Sequence, residues 1–247
     1  MVLSVNVNKV ATIRNSRGGA IPSVIEAVDV CLAAGAPGIT VHPRADARHI
    51  TAADVREIGA RLKAHPSRVE FNIEGDPRPD LIDLVHEVRP AQCTLVPVRP
   101  GELTSQAGWS HDSAGADTLR SVVGGLRRAG IRVSLFVEPD DAAIRWAAEL
   151  SADRVELYTE PFARAFERGD SAARASFDGY VRSAGLAHAL GLGVNAGHDL
   201  DLDNLLMFRH LPHLDEVSIG HALISHALFV GLDRSVRDYL GVLGGGG

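Results

Sequence analysis

Short runs of apolar, often β-branched residues alternate with helical stretches along the whole chain, and this alternation constrains the fold more than any other feature. Three of the runs follow a helical stretch that closes on a glycine, at Gly35, Gly130 and Gly191. A glycine ends a helix readily because it adopts the left-handed backbone conformation, and a continuous apolar run is typical of a strand buried on both faces. The runs predict eight strands, over residues 3–7, 38–41, 69–73, 92–96, 131–136, 154–157, 192–194 and 215–219.

The segments between these runs carry apolar residues at helical spacing. They predict helices over residues 24–33, 53–63, 80–87, 117–128, 142–150, 172–190, 203–210 and 225–240, with a capping box at Thr51 and Asp54. Strands that alternate with helices pair in parallel through right-handed crossovers. We therefore predict an α/β fold, a single (β/α)8 TIM barrel over residues 1–243 with a flexible glycine tail at 244–247. A doubly wound open sheet is the alternative, but it would need a break near mid-chain, which the sequence lacks.

The composition excludes several classes of function. The net charge is −6, which argues against nucleic-acid or membrane-surface binding, because either would need a basic face. We find no signal-peptide pattern and no apolar run long enough to span a membrane, so we expect a cytoplasmic protein. Cys31 and Cys93 are predicted to be buried free thiols, because two cysteines make neither a metal knuckle nor a disulfide framework.

Four polar residues, Asn6, His42, Glu74 and His198, lie at or just after the ends of predicted strands. In a parallel barrel the carboxyl ends of all strands meet at one mouth, so these side chains are expected to face one cavity. Polar residues at that end of a barrel usually do chemistry, while the opposite end serves stability. A carboxyl group at the mouth can have a raised pKa and act as a general base.

In segment 6–19 the first strand ends, and a polar loop of about ten residues that closes on Gly18 and Gly19 is predicted to follow it. Arg14 and Arg17 could bind a phosphate there, with the glycines letting the backbone approach the anion. A solvated loop with surface arginines is the equal alternative.

Two histidines and two arginines crowd the segment after the second strand, namely His42, Arg44, Arg48 and His49. A lone histidine is more often structural, but this density directly after a buried strand favours a functional loop.

Two further strand ends carry small residues together with a histidine. Residues 193–199 read Gly-Val-Asn-Ala-Gly-His-Asp, and small residues there let the backbone approach a ligand to which His198 is presented. Gly220 and His221 close the last strand and open a helix whose backbone N–H groups would suit a phosphate. Phosphate sites recur after the last two strands of such barrels.

Together these segments resemble the pyridoxine 5′-phosphate synthase family of the deoxyxylulose-dependent vitamin B6 pathway. The likeness covers nearly the whole chain. It depends on Asn6 and on segments 11–18, 38–42, 48–50, 95–97, 102–104, 133–136, 194–198 and 219–222, in this order and spacing.

The resemblance implies an enzyme that condenses 3-amino-2-oxopropyl phosphate with 1-deoxy-D-xylulose 5-phosphate, a transferase-like step that closes a pyridine ring. It implies no redox cofactor, no obligatory metal, and a ring-like homo-octamer. Several groups that titrate near neutrality would suit this chemistry, because imine formation, dehydration and ring closure all move protons. By motif, the acid/base residues are His42, Glu74 and His198. The contacts to the amino-ketone phosphate are Asn6, Arg17, Gly220 and His221, and those to the deoxyxylulose phosphate are Arg44, His49 and Thr104.

The chain departs from the family pattern at positions that should contact substrate. Asn8 and Lys9 stand where the family usually has Asp-His, and Asp199 replaces a glycine that lies by the amino-ketone phosphate. Segments 158–160 and 225–226 differ as well. These changes favour, as an alternative, a divergent paralogue that condenses an amino-ketone with a different carbonyl compound.

Two other classes of protein remain open. A metal-dependent sugar-phosphate epimerase or hydrolase would use His42, His49, His198 and Glu74 as ligands. Metal ligands usually come closely clustered, however, and no His-x-His pair ends a strand in this sequence. A non-catalytic sensor of phosphorylated ligands would bind without turnover.

Overall fold

The computed structural model describes residues 1–65, 67–97, 107–110 and 116–244. Within these residues, parallel strands close into a barrel in the order β1 to β8, with β8 pairing β1. The single (β/α)8 barrel is confirmed. The strands are β1 Val2–Asn6, β2 Gly38–Val41, β3 Glu70–Gly75, β4 Gln92–Leu95, β5 Arg132–Val137, β6 Arg154–Leu157, β7 Gly193–Ala196 and β8 Leu214–Ile219.

Helices follow the strands around the outside of the barrel. In the described part of the chain they are α1 Asn8–Asn15, α2 Val24–Ala33, α3 Ala52–Lys63, α4 Pro79–Val88, α5 Ala116–Arg128, α6 Asp141–Glu149, α7 Glu160–Glu167, α8 Asp170–Ala189, α9 Leu205–Phe208, α10 His221–Val230 and α11 Leu232–Gly244. The predicted capping box is confirmed, since the Thr51 hydroxyl accepts from Asp54 N–H and the Asp54 carboxylate accepts from Thr51 N–H. α11 runs through Gly244, one residue into the predicted tail, and residues 245–247 lie outside the described residues.

The helices differ from the sequence-based expectations in three places. The prediction of a polar loop after β1 is wrong, because Asn8–Asn15 forms the helix α1, which buries Val10 and Ala11 against the barrel. α7 was not predicted. The single helix expected over 225–240 is two helices, since Gly231 adopts φ +86 and ends α10.

The inside of the barrel carries polar side chains that bond to one another. Thr94 Oγ1 donates to Asn72 Oδ1 at 3.1 Å, and Gln92 on β4 accepts from Asn195 on β7 at 3.4 Å, across the barrel. At the amino-terminal end Arg154 donates to Glu216 at 3.3 Å. This network satisfies buried polar groups that a low-dielectric interior would otherwise penalise.

The predicted buried free thiols are confirmed for Cys31 and Cys93. Among the helices of the described residues, we find none that combines the length and apolar character needed to cross a bilayer.

Candidate active site

A cavity of about 510 Å³ opens at the carboxyl ends of the strands. Most of the site residues expected from the sequence line it: Asn6, Asn8, Lys9, His42, Arg44, His49, Glu74, His198, Asp199, Gly220 and His221. Arg17 does not line this cavity and lies exposed just past the end of α1. Thr104 lies outside the described residues.

Glu74 stands near the end of β3 with its carboxyl group buried in the cavity wall. The side-chain amides of Asn6 and Asn72 each donate to it, both at 3.5 Å. Burial, and secondarily the charge of Glu216, raise the pKa of Glu74 to about 8. A carboxyl group with this pKa can both hold and release a proton near neutral pH.

His42 directly follows β2 and is buried. Its backbone N–H donates to Asn8 Oδ1 at 2.9 Å, which fixes the start of the loop. Burial, then the neighbouring His49 and Arg44, lower the pKa of His42 to about 3, so the ring is neutral at physiological pH. Its Nε2 has no hydrogen-bond partner among the described residues. A neutral imidazole with an unpartnered nitrogen is suited to exchange a proton with a ligand.

His198 follows β7 and is held between aromatic rings. Its ring centroid lies 5.4 Å from that of Phe136 and 5.7 Å from that of Tyr158. The hydroxyl of Thr159 donates to the His198 carbonyl oxygen. Nδ1 of His198 lies 3.8 Å from the Asp199 carboxylate, and the imidazole lowers the pKa of Asp199. These contacts restrict the orientation of the imidazole at the cavity wall.

One end of the cavity is formed by backbone at the start of α10. Gly220 precedes the first helical residue, and no side chain caps the helix. A Cβ atom on Gly197 would lie 2.1 Å from the Ser218 carbonyl oxygen, so only glycine allows this close approach of the two strand ends. An uncapped helix N-terminus that faces a cavity favours an anionic group.

Another part of the wall carries cationic side chains. Lys9, Arg44 and Arg48 all line the cavity there, together with His49. Burial first, and then the charges of Arg44 and Lys9, lower the pKa of His49 to about 4. The cationic side chains give this wall a positive field, which would attract a phosphate.

Glu156 is a site residue that sequence reasoning missed. It lies on β6, is buried, and lines the same cavity as Glu74. Burial, then the charges of Glu74 and Glu216, raise the pKa of Glu156 well above its ordinary value. Its Oε2 atom has no partner among the described residues. The signal in the sequence was a carboxyl group inside the apolar run Val155–Leu157.

Arg14 corrects one expectation from the sequence. Instead of facing a ligand, its guanidinium bonds both carboxylate oxygens of Asp54, at 2.5 and 2.9 Å, and the His49 carbonyl at 3.3 Å. Arg14 therefore anchors α1 to α3. In the described ranges, no group of three or more His, Cys, Asp or Glu side chains is arranged to hold a metal ion.

A barrel whose mouth combines imidazoles, protonatable buried carboxyl groups and anion-attracting walls is typical of enzymes that move protons on phosphorylated substrates. More narrowly, the chain belongs to the family of the pyridoxal phosphate biosynthesis protein PdxJ, whose model matches residues 3–244.

Relatives named pyridoxine 5′-phosphate synthase align with this chain over nearly their whole length. A pyridoxine 5′-phosphate synthase of Bacteroides fragilis is 52% identical over 238 residues, which cover 96% of this chain and 97% of the relative. The synthase of Leptospira biflexa is 49% identical over 250 residues, covering 98% and 96%. The synthase of Christiangramia forsetii is 51% identical over 242 residues, covering 98% of both chains.

Solved structures with little sequence identity share the fold. Tryptophan synthase from M. tuberculosis superposes with a TM-score of 0.60 at 14% identity, covering 98% of this chain and 91% of that one. Phosphoribosyl anthranilate isomerase from Thermus thermophilus gives 0.58 at 15% identity, covering 99% of both. At this level of identity the likeness concerns the barrel alone.

Proposed function

We propose that the protein is a pyridoxine 5′-phosphate synthase that condenses 3-amino-2-oxopropyl phosphate with 1-deoxy-D-xylulose 5-phosphate, closing a pyridine ring with release of phosphate and water. Family membership supports the reaction. The observation that carries it is the convergence of His42, Glu74 and His198 on one cavity with anion-attracting walls.

The three acid/base groups are suited to different proton transfers. Glu74, with a pKa of about 8, can protonate a leaving hydroxyl and later remove a proton from carbon. His42 is neutral and presents an unpartnered nitrogen, so it acts as a base. His198 is held by Phe136 and Tyr158 on another wall and serves a second reacting centre.

The two phosphates are proposed to bind at different walls. The amino-ketone phosphate would bind the start of α10 at Gly220 and His221, with Asn6 beside it. The pentulose phosphate would bind Arg44 and His49. Separate phosphate sites would orient the amine of one substrate toward the carbonyl carbon of the other.

The assignments of Arg17 and Thr104 rest on motif alone. Arg17 does not line the cavity, and Thr104 lies outside the described residues.

A second candidate is a related condensation with a different carbonyl compound. It is favoured by the positions of Asn8, Lys9 and Asp199, which depart from the family pattern and all line the cavity. Lys9 adds positive charge beside His49, and Asp199 adds a carboxylate beside His198. Both changes would alter which substrate the walls prefer, while His42 and Glu74 stay in place.

The direct test is to supply the purified protein with both substrates and measure pyridoxine 5′-phosphate and released phosphate. We expect both products in equal amounts, and none from Glu74→Gln. A folded protein that forms no pyridoxine 5′-phosphate would overturn the first candidate. Phosphate release with a different ketose or aldose phosphate would then support the second.

The family resemblance also supports a homo-octamer in the cytoplasm that works without cofactor. Sedimentation of the purified protein would test the assembly, and turnover after exhaustive chelation would test the absence of a metal requirement.

A further inference from the structure

A second cavity lies at the opposite end of the barrel from the mouth. It is enclosed by the C-terminal ends of α3 and α4 and by the segments that lead into β3 and β4, and its volume is about 280 Å³. No candidate residue of the mouth contributes to it.

The floor of this cavity is apolar. Phe71 of β3, Val88 of α4 and Leu62 of α3 form it, and all three side chains are largely buried. A Cβ atom on Gly59 would lie 2.7 Å from Val88 Cγ1, so the two helices approach closely behind the floor. Closely packed elements give the pocket a fixed shape.

The rim of the cavity is cationic. Lys63, Arg68 and Arg89 surround the opening, and His65 lies beside them. The chain as a whole has a net charge of −6, so this local excess of positive charge is opposite in sign to that of the protein. Across the described ranges, none of the lysine and arginine side chains of this rim forms an ion pair.

The carboxylates closest to this rim in sequence are already engaged elsewhere. Glu70 accepts a short bond from Arg132 on β5, and Glu87 accepts two bonds from Arg56, at 2.7 and 2.9 Å. The bond from Arg132 is the main cause that lowers the pKa of Glu70, and the charge of Arg68 contributes to it, but in the described ranges the two form no ion pair. Most of the positive charge of the rim is therefore available to an external anion.

Arg89 occupies a backbone position that favours glycine. Its φ is +51, in the left-handed region, directly after α4. Gly35, Gly130 and Gly191 take the left-handed region two residues after the ends of other helices, with φ of +99, +77 and +79. Ser151 also takes it, after α6, with φ of +62. A glycine would be less strained at position 89. The arginine side chain lines the pocket from this strained backbone position.

We propose that this cavity binds a small aryl or heteroaryl phosphate, at a site separate from the mouth. The phosphate would bond the guanidinium groups of Arg68 and Arg89, which match its geometry. The ring would lie on Phe71 and Val88. The volume lies below the range of ordinary drug-sized pockets, so a nucleotide is too large and a single ring fits.

Calorimetric titration of the full chain with phenyl phosphate at 0.15 M salt tests this. Besides binding at the two phosphate walls of the mouth, of which Arg44→Gln removes one, we expect a further site that is weakened at least about tenfold by the double change Arg68→Gln and Arg89→Gly. Arg89→Gly suits the local backbone, so that variant should fold, which circular dichroism checks. Arg61→Gln, which changes an exposed arginine of α3 paired with Asp29, is the matched control and should leave binding at all of these sites intact.

Inorganic phosphate is the second probe. Inorganic phosphate has no ring to bury on the apolar floor. We therefore expect it to bind the second cavity, the site that the double change weakens, at least about tenfold more weakly than phenyl phosphate does. Binding that the double change Arg68→Gln and Arg89→Gly leaves unaltered would overturn the proposal. Equal affinity of the two probes at the second site would overturn its assignment to an aromatic ligand. Since turnover is not measured, failure here leaves the proposed synthase activity untouched.

Discussion

The side-chain oxygen of Asn8 accepts the backbone N–H of His42 at 2.9 Å, and so joins the first turn of α1 to the end of β2. Asn8 is in turn oriented by Asn6, whose side-chain oxygen accepts the Asn8 N–H at 3.0 Å. One short polar segment therefore sets the position of the imidazole that we propose as a base.

This relationship predicts how substitutions at Asn8 act. Asn8→Ala removes the acceptor and leaves the buried N–H of His42 unpaired, so we expect kcat/KM to fall by about fivefold to tenfold, about 1 kcal/mol or slightly more. Asn8→Asp keeps an acceptor oxygen and should retain most of the activity. Steady-state kinetics of both variants would check this. Equal losses would show that the amide acts through substrate contact and not through His42.

Glu74→Gln should abolish turnover while leaving the fold intact. The amide keeps the shape of the side chain but cannot donate and accept the proton, so we expect kcat to fall at least about a hundredfold. Asn6 and Asn72 donate to different oxygens of the carboxylate, so only one of them keeps an oxygen acceptor in the variant. Both bonds are long, at 3.5 Å, so we expect KM to change less than kcat. Unchanged kcat would remove Glu74 from the proposed chemistry. Glu70→Gln, at the other end of the same strand, is the control and should keep kcat.

The raised pKa of Glu74 predicts a dependence of stability on pH. In the folded protein this carboxyl holds its proton to about pH 8, whereas the unfolded chain releases it near 4.5. Its contribution to the free energy of unfolding is therefore fully present below pH 4.5 and is lost as the pH rises toward 8. Glu74→Gln carries no ionisable group there and escapes this loss.

Urea unfolding of both proteins at pH 5 and pH 8.5 measures the effect. We expect the variant to gain on the wild type by more than about 1 kcal/mol between the two pH values. A difference that is the same at both pH values would mean that Glu74 is ionised normally in the folded protein.

The sequence predicts the barrel and much of its mouth because each relevant signal is local. Apolar runs that follow glycine-closed helices predict the strands. A polar residue at the carboxyl end of a strand is then predicted to lie at the mouth, because all strand ends meet there. Asn6, His42, Glu74 and His198 were found in this way, and all four line one cavity.

The features that the sequence missed depend on partners far along the chain. α1 reads as a loop because much of its surface is polar, and its Arg14 bonds Asp54, 40 residues away. Glu156 reads as part of a buried strand, and its character follows from burial near Glu74 and Glu216. Such pairings appear only when the strands are closed into a barrel.

A substitution at Gly197 tests how closely the ends of β7 and β8 pack at the mouth. A Cβ atom there would lie 2.1 Å from the backbone oxygen of Ser218, and a backbone atom of a paired strand cannot move aside as a flexible side chain does. We expect Gly197→Ala to destabilise the protein by more than about 3 kcal/mol or to prevent folding.

Gly185→Ala is the matched control. Gly185 lies within α8, and an added methyl group there would meet nothing within 4 Å. Alanine should therefore stabilise the helix by about 0.5–1 kcal/mol. Thermal unfolding of the two variants should therefore move in opposite directions. A Gly197→Ala protein with an unchanged melting temperature would show that the β7 and β8 ends are not held as closely as the structure has them.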